Sequence, residues 1–266
     1  WVLLALVHGS RQGSPRRAAA LAALGIAFVG GVNAVATFAV IPLGAVWLLT
    51  RSPGPRRRAL MIWWPFFTAL MTSWWLVPLL LMGRYSPPFL DYIESSSVTT
   101  FPTTVFDTLR GTSDWVPYVD NAWRAGHTLI TTYFLPLNSG LLLTLGLAGL
   151  LLRRTQERVF LVVGLAVGIL LVTMGHQGSV SGWWADGAAG LLDGVLSPLR
   201  NVHKFDPIVR LPLVIGLAWA VEELLDRAVA PGEPSSGGPR WGRLHRRTVA
   251  GLLAFIVATS ALPVFQ

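Results

Sequence analysis

Of 266 residues, 53% are hydrophobic and only 13% charged, about half the charged share of an ordinary soluble domain, which excludes a water-soluble globule of this length. The net charge of +8 would raise the question of nucleic acid in a soluble protein, but the basic residues stand in short runs between apolar segments, the pattern of membrane topology. Cysteine is absent, so disulfides, thiolate zinc sites and a cysteine nucleophile are excluded.

Taken in chain order, the sequence opens at Trp1 inside an apolar run, with no charged leader ahead of it, and closes just after another. Both features predict an internal segment of a longer chain. A bilayer core about 30 Å thick needs about 20 helical residues. Residues 18 to 50 exceed one simple span and are interrupted by Gly30-Gly31-Val32-Asn33, which predicts two short helices meeting there. Such a break is tolerated in lipid only where protein or water satisfies the freed backbone groups. Residues 59 to 82 carry no charge, with Thr68, Thr72 and Ser73 as their only polar side chains besides the tryptophans, and meet the length requirement outright. Residues 139 to 152, 159 to 174, 207 to 225 and 248 to 264 are the further predicted spans.

The fold class expected is therefore an all-α polytopic membrane protein: a transmembrane helix bundle with two extracytoplasmic loops carrying short helices. Residues 1 to 229 form the main transmembrane domain. Residues 230 to 247, rich in Pro, Gly and Ser, form a flexible cytoplasmic linker, and residues 248 to 266 hold one more transmembrane helix. Cytoplasmic loops carry the Arg and Lys excess. Placing the linkers with Arg11, Arg16 and Arg17, with Arg51 and Arg56 to Arg58, with Arg153, Arg154 and Arg158, and with Arg227, Arg240, Arg243, Arg246 and Arg247 on that side leaves only Arg84, Arg110, Arg124, Arg200, Lys204 and Arg210 for the other. Span count and charge alternation then agree, and residues 83 to 138 and 175 to 206 become extracytoplasmic.

The first of these loops is far longer than a usual helix connection and rich in aromatic residues, so it is expected to fold, with short helices such as one near Thr103 to Leu109. It also gathers Asp91, Glu94, Asp107, Asp114 and Asp120. A carboxylate can bind a divalent ion, act as a general base or hold sugar hydroxyls, although this spacing matches no metal motif; solvated charge and helix capping are the plain alternatives. Asp91 and Glu94, three residues apart and suited to one helical face, are the candidate catalytic pair. No cofactor is required by the sequence, and a divalent cation is compatible with it.

Flat aromatic faces at Trp115, Tyr118, Trp123, Trp183 and Trp184 suit a sugar ring as well as a membrane-interface belt. The candidates for sugar or acceptor binding are Asn33, Trp115, Trp123, His176, Trp183 and Asp206. His176, between Gly175 and Gly178 where a span ends, is expected at the aqueous edge. The densest polar cluster runs from Arg200 to Pro207, with Arg210 just beyond. Ionisable residues at a membrane edge are expensive and point to a site. His203, Lys204 and Arg210 are the candidates for binding the phosphate of a lipid-linked donor. Headgroup anchoring, or pairing with Asp206, explains the same residues without a ligand. The histidines form no His-Glu-x-x-His pattern and no Gly-Lys-Ser/Thr phosphate loop occurs, which removes the main support for metalloprotease and nucleotide-motor readings.

Three stretches carry a family resemblance: Gly30-Gly31-Val32-Asn33-Ala34, the run from Glu94 to Thr100 (Glu-Ser-Ser-Ser-Val-Thr-Thr), and the run from Leu199 to Leu213 (Leu-Arg-Asn-Val-His-Lys-Phe-Asp-Pro-Ile-Val-Arg-Leu-Pro-Leu). Over residues 1 to about 229 the chain resembles the large actinobacterial α-(1→3)-arabinofuranosyltransferases of the AftD type. The resemblance implies a GT-C membrane fold in the plasma membrane with an extracytoplasmic active face. It implies transfer of D-arabinofuranose from decaprenylphosphoryl arabinose to the arabinan of arabinogalactan or lipoarabinomannan, with carbohydrate-binding regions following the membrane part. Such enzymes normally hold their catalytic acid in the first extracytoplasmic loop, a region expected to lie ahead of Trp1, so no catalytic residue is carried over. Rival readings are a mannosyltransferase or oligosaccharide ligase of the same architecture, a transporter, which would favour paired broken helices and midplane charges, and a non-catalytic scaffold.

Overall fold

Proline, glycine and serine set the helix starts at the N-terminal side. In the computed structural model, which describes residues 1–29, 34–83, 85, 92–178, 180–228 and 246–265, the chain begins with α1 (Val2–Arg11) and turns through Gly13, held at a positive φ of 68°. It then enters α2 (Pro15–Ala27), where the Ser14 hydroxyl accepts the Arg17 backbone N–H at 3.4 Å and Pro15 opens the first turn. Helix α3 (Ala34–Ala39) and helix α4 (Pro42–Thr50) follow. The expected break at Gly30 to Asn33, and Asn33 with it, lies outside the described residues. The return leg from residue 34 is itself divided, which the two-helix expectation did not include: Pro42 has no N–H for a continuous ladder, so α3 stops at Ala39 and α4 restarts at Pro42.

Helix α5 (Pro55–Met82) is 28 residues long and keeps Pro65 and Pro78 inside it. Only four of its side chains are buried: Leu60, Trp64, Thr72 and Trp75. The rest of its surface exposes Ile62, Phe66, Trp74, Leu80, Leu81 and Met82 among others. A contiguous apolar face of that size is not maintained in water and belongs against lipid. The loop that follows carries α6 (Ser96–Thr100), α7 (Val105–Arg110), α8 (Val116–Val119) and α9 (Arg124–Thr131). The short helix expected near Thr103 to Leu109 is α7.

Helix α10 (Phe134–Leu151) crosses back, α11 (Arg158–Thr173) returns, and a second loop follows. It holds α12 (Ala185–Asp193) and two 3-10 turns, at Ser197–Leu199 and Val202–Phe205. Helix α13 (Asp206–Arg227) then runs back along the bundle, and α14 (Arg246–Ser260) leans on α10 and α13, where the Asn138 amide donates to the Thr259 hydroxyl at 2.7 Å. The linker from 230 to 247 lies almost wholly outside the described residues, which resume at 246. Among the described residues there is no strand, and α5 and α10 are long and apolar enough to cross a membrane by themselves.

Backbone contact between helices explains glycines that otherwise look unremarkable. A side chain at Gly149 would collide with the Gly216 carbonyl, and one at Gly146 would meet the Leu213 carbonyl at 2.9 Å, so α10 and α13 cross with their backbones touching. Gly168 does the same for α11 against α13, at 2.9 Å from the Val209 nitrogen. Between apolar helices in lipid this close approach supplies the packing that the hydrophobic effect does not.

The arginine linkers meet at one end of the bundle. Glu157, itself in the left-handed region at φ 56°, accepts Arg11 at 3.0 Å and also pairs with Arg51. Arg56 donates to the Gly13 carbonyl at 2.7 Å, and Arg154 pairs with Glu223 and Asp226, each at 3.0 Å. The two long loops meet at the opposite end.

Candidate functional site at the loop end

The loop end is fastened by side chains that reach from one loop into the other. The Thr99 hydroxyl donates to the Arg200 carbonyl at 2.9 Å and the Thr100 hydroxyl to the Gly175 carbonyl at 2.8 Å. Asp193, at the end of α12, accepts both the backbone N–H and the hydroxyl of Ser96, at 2.7 and 2.6 Å, and so starts α6. Arg200 is only 6% exposed. Its guanidinium donates to the carbonyls of Leu192, at 3.3 Å, and Glu94, and stands 3.5 Å from the Asp193 carboxylate. A buried guanidinium is tolerable only with this many acceptors around it.

Helix α7 ends by the same logic. Gly111 closes it in the left-handed conformation at φ 87°, and Arg210 reaches over from α13 to carbonyls of the last turn. It donates to the Leu109 carbonyl at 2.6 Å and to the Thr108 carbonyl, while its Nε and Nη2 engage Asp206 at 2.8 and 3.0 Å. A Cβ on Gly111 would lie 3.6 Å from that guanidinium. Each nitrogen of Arg210 is therefore committed within the protein.

The structure brings His203, Lys204, Asp206, Arg210, Trp115 and His176 together at this end, in three different environments. His203 places Nε2 3.7 Å from the Asp114 carboxylate, and its buried Nδ1 has no hydrogen-bond partner. Burial pushes the imidazole below the ordinary histidine range; Lys204 adds to this, and Asp114 and Asp206 oppose it without reversing it. The ring is thus neutral near pH 7 and offers a hydrogen bond rather than a positive charge. Lys204 is half-buried and makes no ion pair among the described residues. Of the three expected phosphate ligands, Lys204 has an uncommitted cation, His203 a neutral ring and Arg210 a structural assignment.

The remaining candidates separate more widely. Trp115 donates its indole N–H to the Asn201 side chain at 3.1 Å, so its polar edge serves the loop junction. His176 is 8% exposed and bonds through Nδ1 to the Thr100 carbonyl at 3.1 Å; it is not at the aqueous edge as expected, because Gly178 folds back over its ring. Trp123 and Trp183 are exposed on the surface, the latter against Trp184 with ring centroids 5.4 Å apart. Glu94 is exposed and stands ahead of α6 rather than on a helix, so it shares no helical face with Asp91, which lies outside the described residues. Among the described residues no three His, Asp or Glu side chains gather as a metal site.

Sequence reasoning gave Arg200, Asp193, Arg110 and Gly111 no individual role. A basic last turn followed by glycine is a helix-end signature, so Arg110-Gly111 was open to discovery; the Asp193 to Ser96 contact, across 97 residues, carried no local signal.

Beside this polar end lies an apolar groove of about 580 Å³. Its walls are the outer half of α5, from Trp64 to Leu80, with Phe38 and Ile41 opposite, and it is closed by Val195 to Leu199 of the second loop. The strand of chain that closes the groove continues directly into His203 and Lys204.

Residues 1–266 match the family described as alpha-(1->3)-arabinofuranosyltransferase, N-terminal GT-C domain. The chain is 39% identical over 269 residues to an alpha-(1->3)-arabinofuranosyltransferase of Mycobacterium tuberculosis, covering 99% of this chain and 19% of that protein. It is 40% identical over 233 residues to one from Mycolicibacterium smegmatis, covering 87% and 16%. The cryo-EM structure of the arabinofuranosyltransferase AftD from mycobacteria is similar, with a TM-score of 0.64 and 32% identity over 98% of this chain and 15% of that one. The chain thus spans about one fifth or less of its relatives' length, and it belongs to the N-terminal GT-C domain family of the α-(1→3)-arabinofuranosyltransferases.

Proposed function

We propose that this chain is the part of a membrane arabinofuranosyltransferase that holds a polyprenyl-phosphate sugar donor, decaprenylphosphoryl arabinose, for transfer to cell-wall arabinan. The observation that carries the reading is the continuity between the apolar groove on α5 and the polar loop end: an apolar chain in the groove would bring its phosphate to Lys204. In the transfer the acceptor hydroxyl attacks the anomeric carbon, the bond from that carbon to the phosphate oxygen breaks, and polyprenyl phosphate leaves with the electron pair. The protein then has to position the hydroxyl, take its proton and stabilise charge gathering on phosphate. Lys204 is assigned the last role, with His203 donating a hydrogen bond. Arg210 holds the α7 to α13 junction that supports them. The arginine linkers are assigned to the cytoplasm and the loop end to the extracytoplasmic face.

Transfer by the whole purified protein, measured with decaprenylphosphoryl arabinose and a mannosyl counterpart on an arabinan oligosaccharide, tests the reading. Arabinose transfer is expected, and Lys204→Ala should raise the donor KM or lower turnover by roughly tenfold, the effect of one charge-assisted contact. Transfer of mannose alone would assign a different donor, and unaltered donor kinetics in Lys204→Ala would remove the phosphate assignment. Sidedness is tested by single cysteines at positions 57 and 204, made in a chain that has none of its own. An impermeant reagent applied from outside should label the second and spare the first.

A further inference from the structure

A second cleft, of about 170 Å³, lies between α10 and α13 and is lined at its loop end by Arg110, Arg210 and Ser139. Below them its walls are Leu142, Leu143, Leu213, Val214 and Leu217. No acidic residue lines it. The two guanidiniums are not equivalent. Arg210 spends its nitrogens on Asp206 and on the carbonyls of Thr108 and Leu109. Arg110, whose side chain is 9% exposed, gives Nε to the Ser139 hydroxyl at 3.1 Å and has a buried Nη2 with no partner. Its neighbour Asp107 stands 3.6 Å from Nη1 but directs its oxygens to the hydroxyls of Thr112, at 3.0 Å, and Thr104, at 2.7 Å. Ser139 in turn donates to the Pro136 carbonyl. A guanidinium shielded from water with a donor unspent is costly unless something accepts from it.

The depth of these groups decides what that acceptor is. Ser139 lies in the second turn of α10, at the loop end of the bundle, and the apolar walls follow one to two turns further along both helices. Cation above and leucines below repeat the order of headgroup and chain in a bilayer. We infer that the α10–α13 cleft binds a phosphate-headed lipid, with Arg110 donating to the phosphate and the chain lying on Leu143, Leu213 and Val214. The site is separate from the groove on α5 and does not require the donor reading. Its lipid is either an anionic phospholipid or a polyprenyl phosphate, which share the head chemistry.

The test is native mass spectrometry of the whole protein released from phosphatidylcholine nanodiscs carrying phosphatidylglycerol or decaprenyl phosphate. The wild type should retain one anionic lipid beyond any held in the α5 groove, and Arg110→Gln should retain roughly tenfold less of that additional lipid, the loss expected for one charge-assisted hydrogen bond. Val214→Trp fills the cleft from a side chain that is 60% exposed and leaves the guanidinium untouched. It should displace the lipid too, which keeps the inference open to refutation if Arg110→Gln does not fold. Whichever anionic lipid is retained names the source. Retention at wild-type levels in Val214→Trp or in a folded Arg110→Gln overturns the inference, as does displacement by inorganic phosphate alone, which would mean that the chain contributes nothing. A wild type that transfers no arabinose would instead overturn the proposed function and leave these retention values as they are.

Discussion

The two ends of the bundle solve the same problem, holding connections between helices in place, with opposite chemistry. At the linker end, arginines on flexible stems reach partly exposed carboxylates: Glu157 receives Arg11 and Arg51, and Arg154 receives Glu223 and Asp226. At the loop end, the buried threonines and Arg200, with the part-buried Arg210, are satisfied largely by backbone carbonyls, several of them from the facing loop. The first arrangement can lose a partner to water at little cost. The second cannot, because each group removed leaves a dry acceptor behind. The proposed phosphate site stands on the second kind of end, where its supports are fixed.

Substitution at Arg200 should show the contrast most strongly. Arg200→Met keeps an apolar stem but strands the carbonyls of Leu192 and Glu94, so a loss of about 3 kcal/mol is expected, read as a lower thermal midpoint in detergent, with the second loop becoming protease-sensitive first. An unchanged midpoint would mean that the loops hold together without it. Gly111→Ala comes next. Its φ of 87° asks an L-residue to adopt the left-handed region, at about 1 kcal/mol, and the added methyl only touches the Arg210 guanidinium. Equal stability for Gly111→Ala and wild type would show that the α7 end is not held as drawn.

The pH response separates the ends further. His203 has a folded pKa below its unfolded value of 6.5, so the unfolded chain binds its proton first. The stability His203 contributes is therefore complete above pH 6.5 and falls as pH drops towards the folded pKa. His203→Gln should flatten that part of the curve. A wild type and variant with parallel stability between pH 7 and 5 would place the ring in water.

How much of this was legible in the sequence depends on range. The long helices were legible in outline, because an uncharged run such as 59 to 82, which falls inside α5, is a local signal that lipid imposes; their bounds were less so, since α10 starts at Phe134 and not at 139, and the stretch from residue 34 to 50 is two helices. The cluster from Arg200 to Arg210 was legible as an important place. Its division of labour was not: Arg210 looked like a phosphate ligand because nothing in its neighbourhood revealed that the Leu109 carbonyl, 101 residues earlier in the chain, would take its hydrogen bond. His176 was misplaced for the same reason, since Thr100 is 76 residues away. The backbone contact at Gly146, Gly149 and Gly216 was not legible, because Gly146 and Gly149 stand three apart rather than in the four-residue spacing that marks close helix approach, and Gly216 lies on another helix.

The smallest expected effect sharpens the comparison from the other side. Burial alone would raise the Glu157 carboxyl, but the hydrogen bonds and charges of Arg51, and then of Arg11, outweigh it and hold the group below the ordinary glutamate range. Its contribution is present above the unfolded pKa and is lost as pH falls through the lower folded value. With Arg11 largely exposed and free to turn to water, Glu157→Gln should cost only about 0.5 kcal/mol and should narrow further in high salt, where surface pairs are screened. A loss as large as that of Arg200→Met, or one indifferent to salt, would mean that the linker end is as dry as the loop end and that the distinction between them does not hold.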